Sequence, residues 1–148
     1  MIRMLAVAVA LVFTSGAHAD MASPPPLPPA GAPAKPVVTK LFTGTTTALG
    51  QPLVLPQGAV EVTVLNYDIP PGAALPVHKH PHPRYAYVLA GRLQVSTGDG
   101  AKRFEYGPGD LIVEMLDEWH YGKTLGTEAV KLLVIDQAPA GETNTILK

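Results

Sequence analysis

From Val37 onward the chain is divided into short apolar runs by Gly, Pro and Asp, a pattern that leaves little room for helices. The runs are Val37 to Thr43, Val60 to Ile69, Tyr85 to Leu89, Leu93 to Thr97, Lys102 to Tyr106, Leu111 to Met115 and Val130 to Asp136. They are rich in Val, Leu, Ile, Thr and Tyr, residues that suit a pleated, half-buried surface. Strands at this spacing, with turn residues between them, indicate an all-β sandwich or barrel. Ser96-Thr97-Gly98-Asp99-Gly100 reads as a tight hairpin turn, since glycine supplies the positive φ that a right-twisted hairpin needs. It is expected to join Leu93–Thr97 to Lys102–Tyr106 as antiparallel neighbours.

Two segments precede this region. Residues 1–19 have a charged start at Arg3, an apolar run from Met4 to Phe13, and an Ala17-His18-Ala19 ending that fits the small-x-small cleavage rule. They are expected to form a secretory signal peptide rather than an anchor, because the apolar run is about half of the roughly 20 residues that cross a bilayer. Cleavage would leave 129 of the 148 residues, beginning at Asp20, with no stable membrane span and a periplasmic or secreted destination. Residues 20–36 contain the stretch SPPPLPPAGAPAKP, in which proline removes donors and fixes φ, so they read as an extended linker. The folded part is then one domain, residues 37–148, a length suited to a single core.

Charge and cysteine usage narrow the function classes. Without Arg3 the chain has 10 basic and 12 acidic residues, a net charge of −2, and no basic stripe, which argues against a nucleic-acid partner. There is no cysteine, so no disulfide staples the domain and any metal site is restricted to nitrogen and oxygen ligands. No GxSxG motif, thiol nucleophile or phosphate-cradling glycine loop is present, and Gly107-Pro108-Gly109 reads as a turn.

Of the five histidines, His18 lies in the expected leader and the others are His78, His80, His82 and His120. In an extended segment, residues i and i+2 point to one face, so His78 and His80 can grip one ion. A solvated pair is the alternative for such a short motif taken alone. His82 continues the series between Pro81 and Pro83 and is a candidate fourth ligand, with the pocket rim as its alternative. His120, 40 residues beyond His80, joins only if the fold brings the segments together.

These spacings resemble the cupins. Their first motif is glycine, five residues, His-x-His, three or four residues, Glu, six residues, glycine; here Gly72, His78-Lys79-His80, Arg84 and Gly91 stand at those intervals. Their second motif is glycine, five residues, Pro-x-Gly, two residues, His; here Gly109, Met115-Leu116-Asp117 and His120 stand there. The resemblance, covering Gly72 to about Thr124, implies an antiparallel double-sheet jelly-roll β-barrel and a shared metal site. It implies a divalent transition metal, Fe, Mn, Zn, Cu or Ni, held by His78, His80 and His120. All-histidine triads occur in the thiol dioxygenase branch of the family, so such a set is compatible with iron.

Two departures from the family pattern bear on the site. Arg84 replaces the glutamate that normally completes the ligand set, and a guanidinium has only donors and cannot ligate a cation. Arg84 is either scaffolding paired with Glu114 or another acid, or a fork that orients an anionic substrate. Glu114, in an otherwise apolar run, needs a partner if buried and is a candidate general base. Met115 and Asp117 replace the usual Pro and Gly in the turn before His120. Tyr85, Tyr87 and Trp119 are expected to face away from the ligands, and the tyrosines would suit a homodimer interface. Two function classes follow: a metal-dependent enzyme, of oxidoreductase or dioxygenase type, on a small anionic molecule, or a non-catalytic module that binds metal or a small ligand.

Overall fold

The computed structural model describes residues 35–148. The expected signal peptide and most of the expected linker lie outside the described residues. Nine strands form among them, with no helix: β1 (Val60–Ile69), β2 (His78–Lys79), β3 (Arg84–Ala90), β4 (Arg92–Thr97), β5 (Arg103–Tyr106), β6 (Leu111–Val113), β7 (His120–Leu125), β8 (Val130–Pro139) and β9 (Ile146–Leu147). They make a four-stranded sheet in the order β1-β8-β3-β6 and a five-stranded sheet in the order β5-β4-β7-β2-β9, with antiparallel pairing between neighbouring strands. This is a double-sheet jelly roll.

Period-two alternation sets the interior. Along β8, Val130, Leu132, Val134, Asp136 and Ala138 are buried while the residues between them are more open. Along β3 the buried set is Arg84, Ala86 and Val88. Leu93 and Val95 of the second sheet meet Ile69, Val88, Leu132 and Val134 of the first, so one apolar core joins both sheets.

The hairpin forms as expected, with Leu93 opposite Tyr106 and Ser96 opposite Arg103. Its positive φ belongs to Gly100. Gly91, between β3 and β4, also has positive φ (73°), and a Cβ there would collide with the Ala129 carbonyl, so only glycine fits this corner. The Val37–Thr43 run forms no strand and is exposed along its length, so its β-type side chains bury no face against either sheet. Strand β7, by contrast, was not expected. Its Gly122 and Lys123 break the apolar pattern, but pairing with β4 and β2 on its two sides holds it in the sheet.

Candidate metal centre

The sheet register brings the histidines together. His78 on β2 lies directly opposite His120 on β7, and His80 follows two residues on, bridged to Leu116. All three are buried, His80 completely, and their ring centroids are 4.5–5.0 Å apart. One ring nitrogen from each lies within 4.8 Å of the others.

The backbone fixes which nitrogen faces inward. His78 Nδ1 is 2.7 Å from the Pro76 carbonyl, His80 Nδ1 2.6 Å from the Asn144 carbonyl and His120 Nδ1 2.7 Å from the Glu118 carbonyl. A carbonyl only accepts, so each Nδ1 is the donor and each neutral ring keeps its lone pair on Nε2. Outer hydrogen bonds of this kind orient metal-ligating imidazoles. Burial lowers the pKa of His78 and pushes that of His80 down to about 4, keeping both neutral at pH 7. Burial also opposes protonation of His120, but the Glu114 carboxylate outweighs it and raises that pKa.

His120 Nε2 is buried without a hydrogen-bond partner, although Glu114 Oε2 is 3.1 Å away. The approach is close but poorly aligned, so the pair is an electrostatic contact and not a hydrogen bond. Three buried imidazoles whose Nε2 atoms converge, one of them without a hydrogen-bond partner, fit a borderline divalent transition metal.

The turn that carries His120 survives its departure from the family pattern. Asp117 takes φ 55°, the left-handed conformation of the glycine it replaces, and asparagine and aspartate are among the few residues that tolerate it. Its N–H donates to the His80 carbonyl (2.9 Å) and its carboxylate binds Lys79 Nζ (2.7 Å), which ties the two histidine segments together. Met115, in the place of the proline, is buried in the core.

Arg84 is paired, but with Asp136. Its Nε and Nη2 donate to the two Asp136 oxygens, both at 2.6 Å, and Nη2 also donates to Thr145 Oγ1 (2.9 Å). Both partners are buried, and the carboxylate outweighs burial to raise the Arg84 pKa. Only Nη1 faces the histidines, 3.5 Å from His80 Nε2 and from the Tyr67 hydroxyl. Asn144, also buried, donates to Asp136 Oδ1 (2.7 Å) and receives the His82 backbone N–H (2.9 Å). His82 turns outward, its Nε2 2.9 Å from the exposed Glu142 carboxylate, and does not join the three-histidine group.

Asp136 and Asn144 were missed in the sequence. Asp136 left a trace, because it stands on the same face as Leu132 and Val134, where an unpaired acid would be costly. Asn144, in a polar stretch, left none. Trp119 lies on the outer side, beneath Lys79 (5.4 Å) and Lys148 (5.8 Å), and the side chains of Tyr85 and Tyr87 alternate with the buried face of β3.

Behind the histidines is a cavity of about 20 Å³ lined by Tyr67, His78, Glu114, His120 and aliphatic side chains including Leu75 and Leu132. That is space for about one water molecule. A second cavity of about 150 Å³ shares Tyr67, Leu75 and His78 with it and is also bordered by Pro76, Thr145 and Leu147.

A family model described as the cupin domain matches residues 65–136, which take in the first histidine pair and His120. This is a cupin-domain protein. Solved structures agree on the fold of this cupin. It is similar to the Lactobacillus farciminis oxalate decarboxylase formate complex (23% identity, TM-score 0.50, 58% of this chain and 26% of that one). It is also similar to the polyketide cyclase RemF from Streptomyces resistomycificus (23%, TM-score 0.50, 65% and 68%) and to a Bacillus halodurans protein (23%, TM-score 0.50, 58% and 69%). The cupin thus spans about a quarter of the length of that decarboxylase. No curated protein sequence matches it significantly.

Proposed function

We propose that this cupin binds one divalent transition metal through Nε2 of His78, His80 and His120 and acts as a metal-dependent enzyme of oxidoreductase type on a small molecule. The observation that carries the reading is the set of three buried imidazoles, each with Nδ1 committed to a backbone carbonyl and Nε2 left to a shared centre. When bound, the ion supplies Lewis acidity and, if it is redox-active, electron transfer at that centre. The chain's own residues orient the three imidazoles and keep those of His78 and His80 neutral, and Leu75, Leu93, Val95, Leu132 and Val134 line the space beside them with aliphatic surface. The cavity bordered by Tyr67, Pro76, Thr145 and Leu147 is the approach for a substrate.

Charge recognition is assigned to the ion. Because Asp136 already engages Arg84, an anionic substrate would be attracted by the metal rather than clamped by the guanidinium. The similarity to oxalate decarboxylase, at 23% identity, carries the fold alone.

One observation favours a second reading. Space for about one water beside the histidines suits a module that binds metal without turnover. Oxygen uptake by iron-loaded protein against a panel of small carboxylic acids and thiols separates the two. Uptake that disappears in His120→Ala supports the enzyme, whereas stoichiometric iron with no uptake on any panel member supports the binding module. Export to the periplasm and assembly into a homodimer through the outer face of the four-stranded sheet, where Val62, Val64 and Leu89 are exposed, complete the proposal.

A further inference from the structure

The segment that follows β8 is fastened to the domain through one side chain. Of residues 141–148 only Asn144 is buried, while Ile146 and Leu147 are 42% and 63% exposed. The segment gains little from apolar burial, and its one regular pairing sets the two-residue strand β9 against the two-residue strand β2. A stretch with few buried apolar contacts and solvent-exposed backbone hydrogen bonds opens locally at low free-energy cost. Gly141, with φ 84°, supplies the bend at its start.

Asn144 joins this segment to the metal centre. Its side-chain amide donates to Asp136 Oδ1 (2.7 Å), its side-chain oxygen accepts the His82 N–H (2.9 Å) and its backbone carbonyl accepts from His80 Nδ1 (2.6 Å). The next residue, Thr145, accepts from Arg84 Nη2 (2.9 Å). The coupling runs in both directions. A neutral imidazole has one proton for two nitrogens, and an ion on Nε2 of His80 confines that proton to Nδ1, where it fastens the Asn144 carbonyl. The segment therefore orients a ligand, and the loaded ligand holds the segment down, as reciprocal linkage requires.

The same segment walls the space beside the histidines. Thr145 and Leu147 border the cavity of about 150 Å³ that reaches His78. Residues 142–145 border a third cavity, of about 210 Å³, that reaches Arg84 and Asp136. Tyr67 lines both of these and the water-sized cavity, and Thr145 lines the two larger ones. Lifting the segment removes the wall that the larger cavities share and joins them into one cleft. Closed, the site holds about one water; open, it takes a small organic molecule.

We infer that Gly141–Lys148 is a strap over the metal centre, pinned by Asn144 as a positioning residue, which a bound ion closes and whose release admits ion and substrate. The inference rests on the proposed triad.

The test is amide hydrogen exchange of the full chain, metal-free and loaded with Zn(II), in the wild type and Asn144→Ala, with Zn(II) affinity measured against a chromophoric chelator. In the wild type, one Zn(II) per chain should slow exchange over residues 142–148 by about tenfold or more. Asn144→Ala should abolish that slowing and weaken Zn(II) binding by about tenfold or more, with β3 and β8 as protected as in the wild type. A second variant, Lys79→Cys with Ile146→Cys, places two thiols at directly opposed positions of β2 and β9 in a chain that has no cysteine. Opposed Cα atoms are about 4.5–5.5 Å apart, which a disulfide spans. Zn(II) release to the chelator should be about tenfold slower from its oxidised form than from its reduced form. Bound Zn(II) with unchanged exchange over 142–148 would overturn the coupling, and equal release from the oxidised and reduced forms would overturn the gate; either leaves the triad standing. Loss of protection in β3 and β8 of Asn144→Ala would make Asn144 core scaffolding and overturn its role as the pin. A wild type that binds no Zn(II) would remove the triad and this inference together.

Discussion

One ladder of hydrogen-bonded strands passes through two chemically opposite interiors. Where β3 and β8 pair Val88 with Leu132 and Ala86 with Val134, the buried side chains are aliphatic and each contributes by leaving water. Two residues further along the same pair, Arg84 lies opposite Asp136, and the interior becomes a network of Arg84, Asp136, Asn144 and the three histidines. At the aliphatic end, shape and area suffice, and losses are graded. At the polar end each group depends on a named partner, and removing one leaves another buried and uncompensated. A site with buried, oriented imidazoles is compatible with a small β domain because the second kind of interior is confined to one end.

The largest expected difference between the two ends comes from Asp136→Ala. It leaves the Arg84 guanidinium buried without its carboxylate and should cost about 3–5 kcal/mol in urea unfolding. Replacing the pair together, as Arg84→Met with Asp136→Leu, should cost far less, and an equal loss would show that the ion pair is not the organising feature. Leu132→Ala at the other end removes a buried aliphatic side chain and should cost about 2–4 kcal/mol, a loss partly recovered by Leu132→Val.

The effect of pH is next in size. The folded pKa of His80 is about 4, against about 6.5 unfolded, so between these values the unfolded chain binds more protons. Metal-free protein should therefore lose stability as pH falls from about 6.5 toward 4, by no more than about 3 kcal/mol from His80. His120, with its raised folded pKa, works in the opposite sense, stabilising at low pH and losing that contribution as pH rises through its folded value. Unfolding midpoints between pH 4 and 8 would show the balance, and His80→Gln should flatten the acid limb. The smallest effect is expected outside both interiors. Lys131→Ala removes an exposed pair with Asp68 (3.3 Å) and should change stability by less than about 1 kcal/mol.

The aliphatic end was legible in the sequence because alternation is a local signal. Val60–Ile69 forms with the expected bounds, and the hairpin over Ser96–Gly100 joins the strands that were expected to pair. The histidine triad was legible only through motif spacing, since the register that opposes His78 to His120 is a long-range property. Arg84 was recognised as needing an acid, but the choice of Asp136 over Glu114 depended on a strand pairing that no local pattern specifies. Val37–Thr43 fails for the same reason in reverse: strand propensity in a run that stays exposed and buries no face produces no strand. Asn144 lies in a stretch whose composition is that of any loop, although its carbonyl orients His80 and its side chain joins Asp136.

The central claim is that His78, His80 and His120 hold one ion and His82 does not. The most direct test is the metal content of full-length protein purified without chelator or affinity histidines, in the wild type, His120→Ala and His82→Ala. The account predicts about one transition-metal ion per chain in the wild type and in His82→Ala, and none in His120→Ala. Equal metal loss in both variants, or the same trace metal in all three, would contradict it.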